Sequence, residues 1–447
     1  MRYLPLTDAE REEMKRVIGI AQVSDLFTCI PSGQCRPPLD KLPKALSEPE
    51  LTALFREFGR RNSFSGYLSF LGAGAYSHFI PEVVTYLSAK GEFLTPYTPY
   101  QPEVSQGSLQ AIFEYQTMMA MLTGLDVANA SLYDGATAAA EAVLLATRRS
   151  GRGRVLLAGS LHPEYAAVIR TYVQNLPIEM VTVAVDEASG RVDAADLEAK
   201  LDDGTAAVLF QSPNFLGVVE DGPAIAVAAH GRKAYAVQVV AEAMSLAYLA
   251  APGDAGVDMA VGEAQSFGLT LGFGGPYLGF IAVREEFMRQ LPGRLVGQTR
   301  DLDGKRGYVL TLSTREQHIK REKATSNICS NEAWCAMRAG MYLAVMGRAG
   351  LTRAARACHL NAAYFARAAA GKRSFRVVYE RNFFNEVLIE VMKGSASDRA
   401  AELRKQGILA GVPMAWFDAR QKDRLLLAFS EVHDRAAIDR LLDALGE

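Results

Sequence analysis

The chain has 447 residues, 49% of them hydrophobic and 22% charged, with a formal net charge of -2. That is an ordinary globular composition, long enough for a large core and for two or three domains. The near-neutral balance gives no global field toward nucleic acid or a membrane surface, so neither is expected as a partner.

The five cysteines, Cys29, Cys35, Cys329, Cys335 and Cys358, are odd in number and lack CxxC spacing. Neither a disulfide framework nor a cysteine zinc site is expected. His78, His162, His230, His318, His359 and His433 are far apart without HxxxH or HExxH, and no metal is expected there either. The start, MRYLPLTDAEREEMKR, has no apolar core of a signal peptide. A cytoplasmic location is therefore expected.

Residues 1–60 read as a polar helical arm. Thr7 and Glu10 have capping-box spacing, Ser47-Glu48-Pro49-Glu50 opens a second helix, and Pro37, Pro38 and Pro43 mark an extended connection. Such an arm is expected to pack on something else.

From 61 to 325 short apolar runs recur: Val155–Ala158, Met180–Val185, Ala207–Phe210, Tyr235–Val240 and Leu278–Val283. Helical stretches such as Leu109–Leu122 and Ala136–Thr147 separate most of them. Strands buried on both faces and alternating with helices predict an α/β domain with a mainly parallel sheet. Ala234–Ala251, the most apolar long run, carries Gln238 and Glu242, and fits a strand and a short helix rather than a membrane span.

From 326 to 447 a long helical stretch, Asn331–Met346 and Leu351–Ala370, leads to apolar runs at Phe375–Tyr379, Glu386–Val391 and Leu425–Phe429. These predict a smaller C-terminal α+β domain.

Five segments carry possible chemistry. Gly135-Ala136-Thr137 opens a helix whose free N–H groups could hold a phosphate, or it is an ordinary capped start. The glycine clusters at 213–217 and 273–279 mark close backbone approach to a ligand, or tight turns. The stiff stretch 97–107 displays Tyr97, Tyr100, Gln101, Ser105 and Gln106, as a binding loop or a structural one. The run 314–331 gathers Arg315, His318, Lys320, Arg321 and Lys323, suited to an anion or to a solvated charged helix.

Five strings resemble the glycine decarboxylase P-protein family: FLGAGAYSHFIP (70–81), YTPYQPEVSQGSLQAIFEYQ (97–116), NASLYDGATAAAEA (129–142), FGGPYLGF (273–280) and the long stretch 291–331. The resemblance implies the fold of fold-type-I pyridoxal-phosphate-dependent transferases, a large mainly parallel α/β domain with a smaller C-terminal domain. It implies glycine decarboxylation on pyridoxal phosphate, with the aminomethyl group passed to the lipoyl arm of the H-protein. The length resembles the N-terminal-type subunit of a split enzyme, whose homologous C-terminal-type partner carries the cofactor lysine.

In that fold the lysine follows a strand and precedes the glycine-rich turn. Counting back from Gly274-Gly275-Pro276 places it at Gln265; counting forward from Asp258 places it at Ser266. No lysine occurs from Ala234 to Gly304. A glutamine amide cannot form an imine. Glu242 is the only acid near the position of the pyridine partner. The expectation is a fold kept without a covalently bound cofactor. Tyr97, Tyr100, Gln101, Ser105 and Gln106, with Thr325, Ser326 and Asn327, then line the partner subunit's pocket. A non-catalytic assembly and docking subunit is the alternative.

Overall fold

The computed structural model describes residues 6–31, 42–328 and 330–446. Cys35, Cys329, Pro37 and Pro38 lie outside the described residues. The chain divides into two units, Met1–Ser65 and Gly66–Glu447.

In the first unit, helix Asp8–Ile18 starts at a Thr7–Glu10 capping box and helix Glu48–Arg61 at a Ser47–Glu50 capping box. Each box closes because the glutamate reaches back to the cap N–H while the hydroxyl faces the third helical N–H. Neither helix buries a residue; Val17, Phe55 and Phe58 stand exposed.

The second unit is built on a seven-stranded sheet. Its order is Val127–Ala128, Gly279–Val283, Met259–Glu263, Tyr235–Val240, Thr205–Gln211, Arg154–Ala158, Glu179–Val183. All neighbours run parallel except Gly279–Val283, which is antiparallel to both of its neighbours. Residues alternate between two cores, as the two-residue period of a strand requires. Val155, Leu157, Leu209 and Val261 pack with Ala138, Ala142 and Ile169 of the helices on one face. Leu156, Val208 and Ala236 pack with Leu197 and Ile225 on the other. Further along that second face Ala260, Phe280 and Ala282 meet Tyr115 and Tyr342.

A four-stranded antiparallel sheet follows: Phe375–Val377, Glu386–Val391, Arg424–Ala428, Val412–Pro413. The helix Ala333–Ala368 serves both halves. Cys335, Ala339 and Tyr342 enter the large core, Ala362 and Phe365 the small one. It is kinked at Gly347, where φ is 56° and ψ is 178°; the sequence places a break there, between Met346 and Leu351. Among the described residues no helix is long and apolar enough to cross a membrane.

Two features differ from the sequence expectation. Leu295–Arg300 and Arg306–Thr311 form an antiparallel hairpin, where the sequence picked out no strand. The cationic run 314–331 is not one helix but the short turns Ser313–Arg315, Gln317–Lys320 and Arg321–Lys323. Positive φ at Leu312 just precedes it and at Arg321 interrupts it. Arg315 turns inward to donate to the Leu291 and Gly293 carbonyls.

The large and small sheets meet at Gly217, whose φ is +84° and whose added Cβ would lie 2.5 Å from the Glu386 carbonyl oxygen. Gly151 has a similar φ, +69°, with nothing within 4 Å. Gly151→Ala should therefore cost only the left-handed penalty, about 1 to 2 kcal/mol. Gly217→Ala should cost at least ~2 kcal/mol more, because backbone must move. Urea unfolding of both variants, followed by circular dichroism, measures the difference; equal losses would show that the contact relaxes freely.

Candidate active-site crevice

In open α/β sheets ligands are taken up beyond the carboxyl ends of the strands. Here those ends carry His162 after Arg154–Ala158, Glu242 after Tyr235–Val240, and Glu263, Gln265 and Ser266 at and after Met259–Glu263. The helix Gly135–Ser150 begins at the same edge: Gly135 N–H donates to Glu263 Oε2 at 3.0 Å. Lys233 precedes strand Tyr235–Val240 and lies at the opposite end. Lys305 sits in the exposed turn of the hairpin.

Segment 70–81 runs through this crevice. It leaves strand Leu68–Ser69, which pairs in parallel with Ile408–Leu409, and Phe70 is buried in the small core. Gly72 must be glycine by proximity alone, since a Cβ would meet Ala428 Cβ at 2.4 Å and Glu386 Oε1 at 2.6 Å. Beyond it, the segment satisfies the polar groups of the crevice one after another. His162 Nε2 lies 2.9 Å from the Ala73 carbonyl. Tyr76 N–H donates to Gln265 Oε1 at 3.1 Å, and Tyr76 OH donates to Glu386 Oε2 at 3.0 Å. His78 Nε2 lies 3.1 Å from Glu242 Oε2.

The remaining valences are also used. Gln265 Nε2 donates to the Leu269 carbonyl at 2.7 Å. Glu263 Oε1 accepts the N–H groups of Gln265 and Leu278 at 2.9 and 2.7 Å. Asp134 caps the helix by accepting the Thr137 N–H at 2.7 Å. The helix start read as a possible phosphate site therefore meets two side-chain acids. Gln265 and Ser266 are each 2% exposed.

Burial pushes the Glu263 carboxyl up to about 7 against the pull of its three N–H donors. It pushes Glu386 up to about 7 as well, with Glu242 adding to the rise and the Ala73 N–H and Tyr76 hydroxyl opposing it. Burial lowers His162. At His78 burial works against the charge, but Glu242, then Cys358 and Glu431, hold the imidazole well above its ordinary value.

The expected lining residues lie on two other supports. Tyr97 and Tyr100 are 76% and 72% exposed, and Arg294 lies over the Tyr100 ring. Gln101 is exposed. Ser105 precedes helix Gln106–Thr123 and makes no side-chain cap. Gln106 spends its amide on the hairpin, donating to the Tyr308 carbonyl at 2.8 Å and accepting the Tyr308 N–H at 2.8 Å. The second group hangs on helix Gly135–Ser150. Arg148 donates to the Thr325 carbonyl, and Ser326 Oγ donates to Glu141 Oε1 at 2.7 Å. Asn327 is exposed and receives Gln317 Nε2 at 3.2 Å.

Sequence reasoning did not single out Tyr76, His162, Glu263 or Glu386. A buried acid ending an apolar strand was the available signal for Glu263 and is weak without its partners.

A mainly parallel seven-stranded sheet with one reversed strand, covered by helices and followed by a small antiparallel sheet, defines the fold-type-I class of pyridoxal-phosphate-dependent enzymes. The solved sphingosine-1-phosphate lyase of Burkholderia pseudomallei shares that fold at a TM-score of 0.67 and 14% identity, over 92% of this chain and 93% of its own. The glutamate decarboxylase of Lactobacillus brevis does so at 0.68 and 14%, over 93% and 95%. The sequence profile described as glycine cleavage system P-protein matches residues 1–445. The probable glycine dehydrogenase (decarboxylating) subunit 1 of Moorella thermoacetica is 46% identical over 445 residues, covering 100% of this chain and 99% of the relative. That of Anaeromyxobacter dehalogenans is 48% identical over 437 residues, covering 97% of each. A crystal structure of glycine decarboxylase (P-protein) of the glycine cleavage system, in inhibitor-bound form, matches at a TM-score of 0.87 and 42% identity, over 100% and 99% of the two chains. The chain belongs to the glycine cleavage system P-protein family.

The raised Glu386 carboxyl links stability to pH. The folded chain keeps a proton on it up to about pH 7, whereas its ordinary value is 4.5. Between those values the folded state binds more protons, so stability falls as pH rises through that window and levels off above it. In Glu386→Gln the neutral amide can still accept the Ala73 N–H and can donate to Tyr76. Thermal melts should show the variant gaining on the parent from pH 5 to pH 8; parallel pH profiles would mean that Glu386 is ionised throughout.

Proposed function

We propose that this chain is a subunit of the decarboxylating glycine dehydrogenase that does not itself hold pyridoxal phosphate, and that it completes the active site of a homologous, lysine-bearing partner subunit. One observation carries this reading: segment 70–81 and Glu263 already engage the groups a cofactor would use. Of the two positions counted for the lysine, Gln265 is buried with both amide ends bonded and Ser266 is a buried serine. The helix start that would face a phosphate donates to the Glu263 carboxyl group instead, so its first N–H is already taken. The residues present do not fit the cofactor, so no chemical step is assigned to this crevice.

What remains for the chain to do lies in its exposed loops. Tyr97, Tyr100 and Gln101 are displayed outward. The Ser105 and Thr325 hydroxyls make no side-chain hydrogen bond among the described residues and can offer themselves to a neighbour. Subunits of this fold pair across their active sites, so these loops reach the partner's cofactor and glycine. Ser105, Thr325 and Asn327 support anionic groups there by hydroxyl and amide hydrogen bonds, while Ser326, whose hydroxyl is given to Glu141, lines the pocket and fixes its loop. Gln106 contributes by holding the loop against the hairpin. The uncovered faces of the two arm helices are surface that the partner covers. The finished heteromer accepts the lipoyl arm of the H-protein and works in the cytoplasm.

Glycine–carbon dioxide exchange, measured for each chain alone and for both mixed, tests the division of labour. The isolated chain should be inactive, with no aldimine absorbance on adding pyridoxal phosphate and no stoichiometric adduct on subsequent borohydride reduction; such an adduct trapped on this chain would refute the reading. Ser105→Ala with Thr325→Ala should lower exchange by the heteromer about 10-fold or more without dissociating it, the scale of losing positioned hydrogen bonds. Unchanged kinetics would leave the chain an assembly subunit only.

A further inference from the structure

The crevice ends in a cluster that the proposed function does not use. His78 comes from segment 70–81, Cys358 from helix Ala333–Ala368, and Glu431 from the loop after strand Arg424–Ala428. Their ligating atoms all lie within 4.8 Å of one another. Glu431 Oε2 is the shared point, 2.7 Å from His78 Nδ1 and 3.3 Å from Cys358 Sγ. We infer that His78, Cys358 and Glu431 form a binding site for a zinc ion.

The donor set selects the class of ion. One sulfur, one imidazole nitrogen and one carboxylate oxygen suit zinc, whereas calcium and magnesium take oxygen alone. Distance permits it. Zinc bonds of ~2.0 Å to nitrogen and oxygen and ~2.3 Å to sulfur place tetrahedral donors roughly 3.3 to 3.6 Å apart. The separations from Glu431 Oε2, 2.7 and 3.3 Å, lie below and at the lower end of that range and the third is within 4.8 Å, so side-chain shifts of about 1 Å bring the donors into place.

The surroundings are those of a ligand set. The ring nitrogen of His78 that faces away from the cluster, Nε2, meets Glu242 at 3.1 Å. That carboxylate–histidine pair fixes the ring and its tautomer, as in zinc sites where the second nitrogen is bonded. Glu431 is aimed in the same way: its Oε1 accepts the Phe79 N–H at 2.8 Å, which leaves Oε2 toward the cluster. Both supporting bonds survive when the ion enters.

The exchange balances in charge. Zinc enters as a dication; the Cys358 thiol proton and the His78 Nδ1 proton leave to water, and the buried cluster keeps its net charge. A fourth position is left for water or for a second bond from the carboxylate. The ion ties segment 70–81 to the long helix and to the small sheet's exit loop, a clamp on the segment that fills the crevice.

The full-length chain, stripped with a chelator, is loaded with Co²⁺ and then with Zn²⁺. One cobalt per chain is expected, with thiolate-to-cobalt charge-transfer absorption and tetrahedral d–d bands that one equivalent of zinc removes. Cys358→Ser should lose the charge-transfer band and bind zinc at least ~10-fold more weakly, and His78→Gln should weaken binding on the same scale. No such band in the unmodified chain, or the same band in Cys358→Ser, overturns the site and leaves a hydrogen-bonded cluster. Should the serine variant fail to fold, X-ray absorption of the zinc-loaded unmodified chain decides. One sulfur with nitrogen and oxygen neighbours supports the assignment; a shell with no sulfur, or with several, rejects it.

Discussion

Glu263 lies where strand Met259–Glu263 ends, wholly inside the protein, and three backbone N–H groups converge on its carboxylate. One belongs to the first residue of helix Gly135–Ser150, one to the turn at Gln265, and one to Leu278, just before the reversed strand. A buried carboxylate is tolerated only when such donors surround it. The same three bonds therefore set the mutual positions of the helix start, the turn and the strand that frame the crevice. The rest of the site depends on this arrangement, because it takes up the helix N-terminus before any external anion can.

Segment 70–81 completes what Glu263 begins. Its Ala73 carbonyl, Tyr76 N–H and hydroxyl, and His78 ring answer His162, Gln265, Glu386 and Glu242 in turn. Each pair removes a polar group that would otherwise be buried without a partner, at a cost of about 1 to 3 kcal/mol apiece. A crevice satisfied in this way by its own chain is what the proposal of a subunit without its own cofactor rests on. The His78 cluster then couples this segment to the long helix that enters both cores.

Several of these features were legible beforehand. Runs such as Val155–Ala158 and Tyr235–Val240 are continuous and apolar because both faces of the sheet are covered, and they became strands within a residue or two. The capping box at Thr7 depends on three-residue spacing alone and formed as read, and the helix read as opening at Ser47 formed with a box of its own. The hairpin Leu295–Arg300 and Arg306–Thr311 was not legible, because its outer half is exposed and charged. Arg315 looked like one more solvated cation; only the carbonyls of Leu291 and Gly293 explain why it turns inward.

The sequence by itself determined the class of fold, the family, and the lack of a lysine between Ala234 and Gly304. Those follow from local periodicity, long distinctive strings and residue identity, all of which lie along the chain. The tertiary structure decided what surrounds the positions counted for that lysine. Gln265 meets Tyr76 across 189 positions, and His78 meets Glu431 across 353. Hydrogen bonds and ligand sets depend on distance in space, and spacing along the chain carries no record of which distant residues the folded sheet brings within 3 Å.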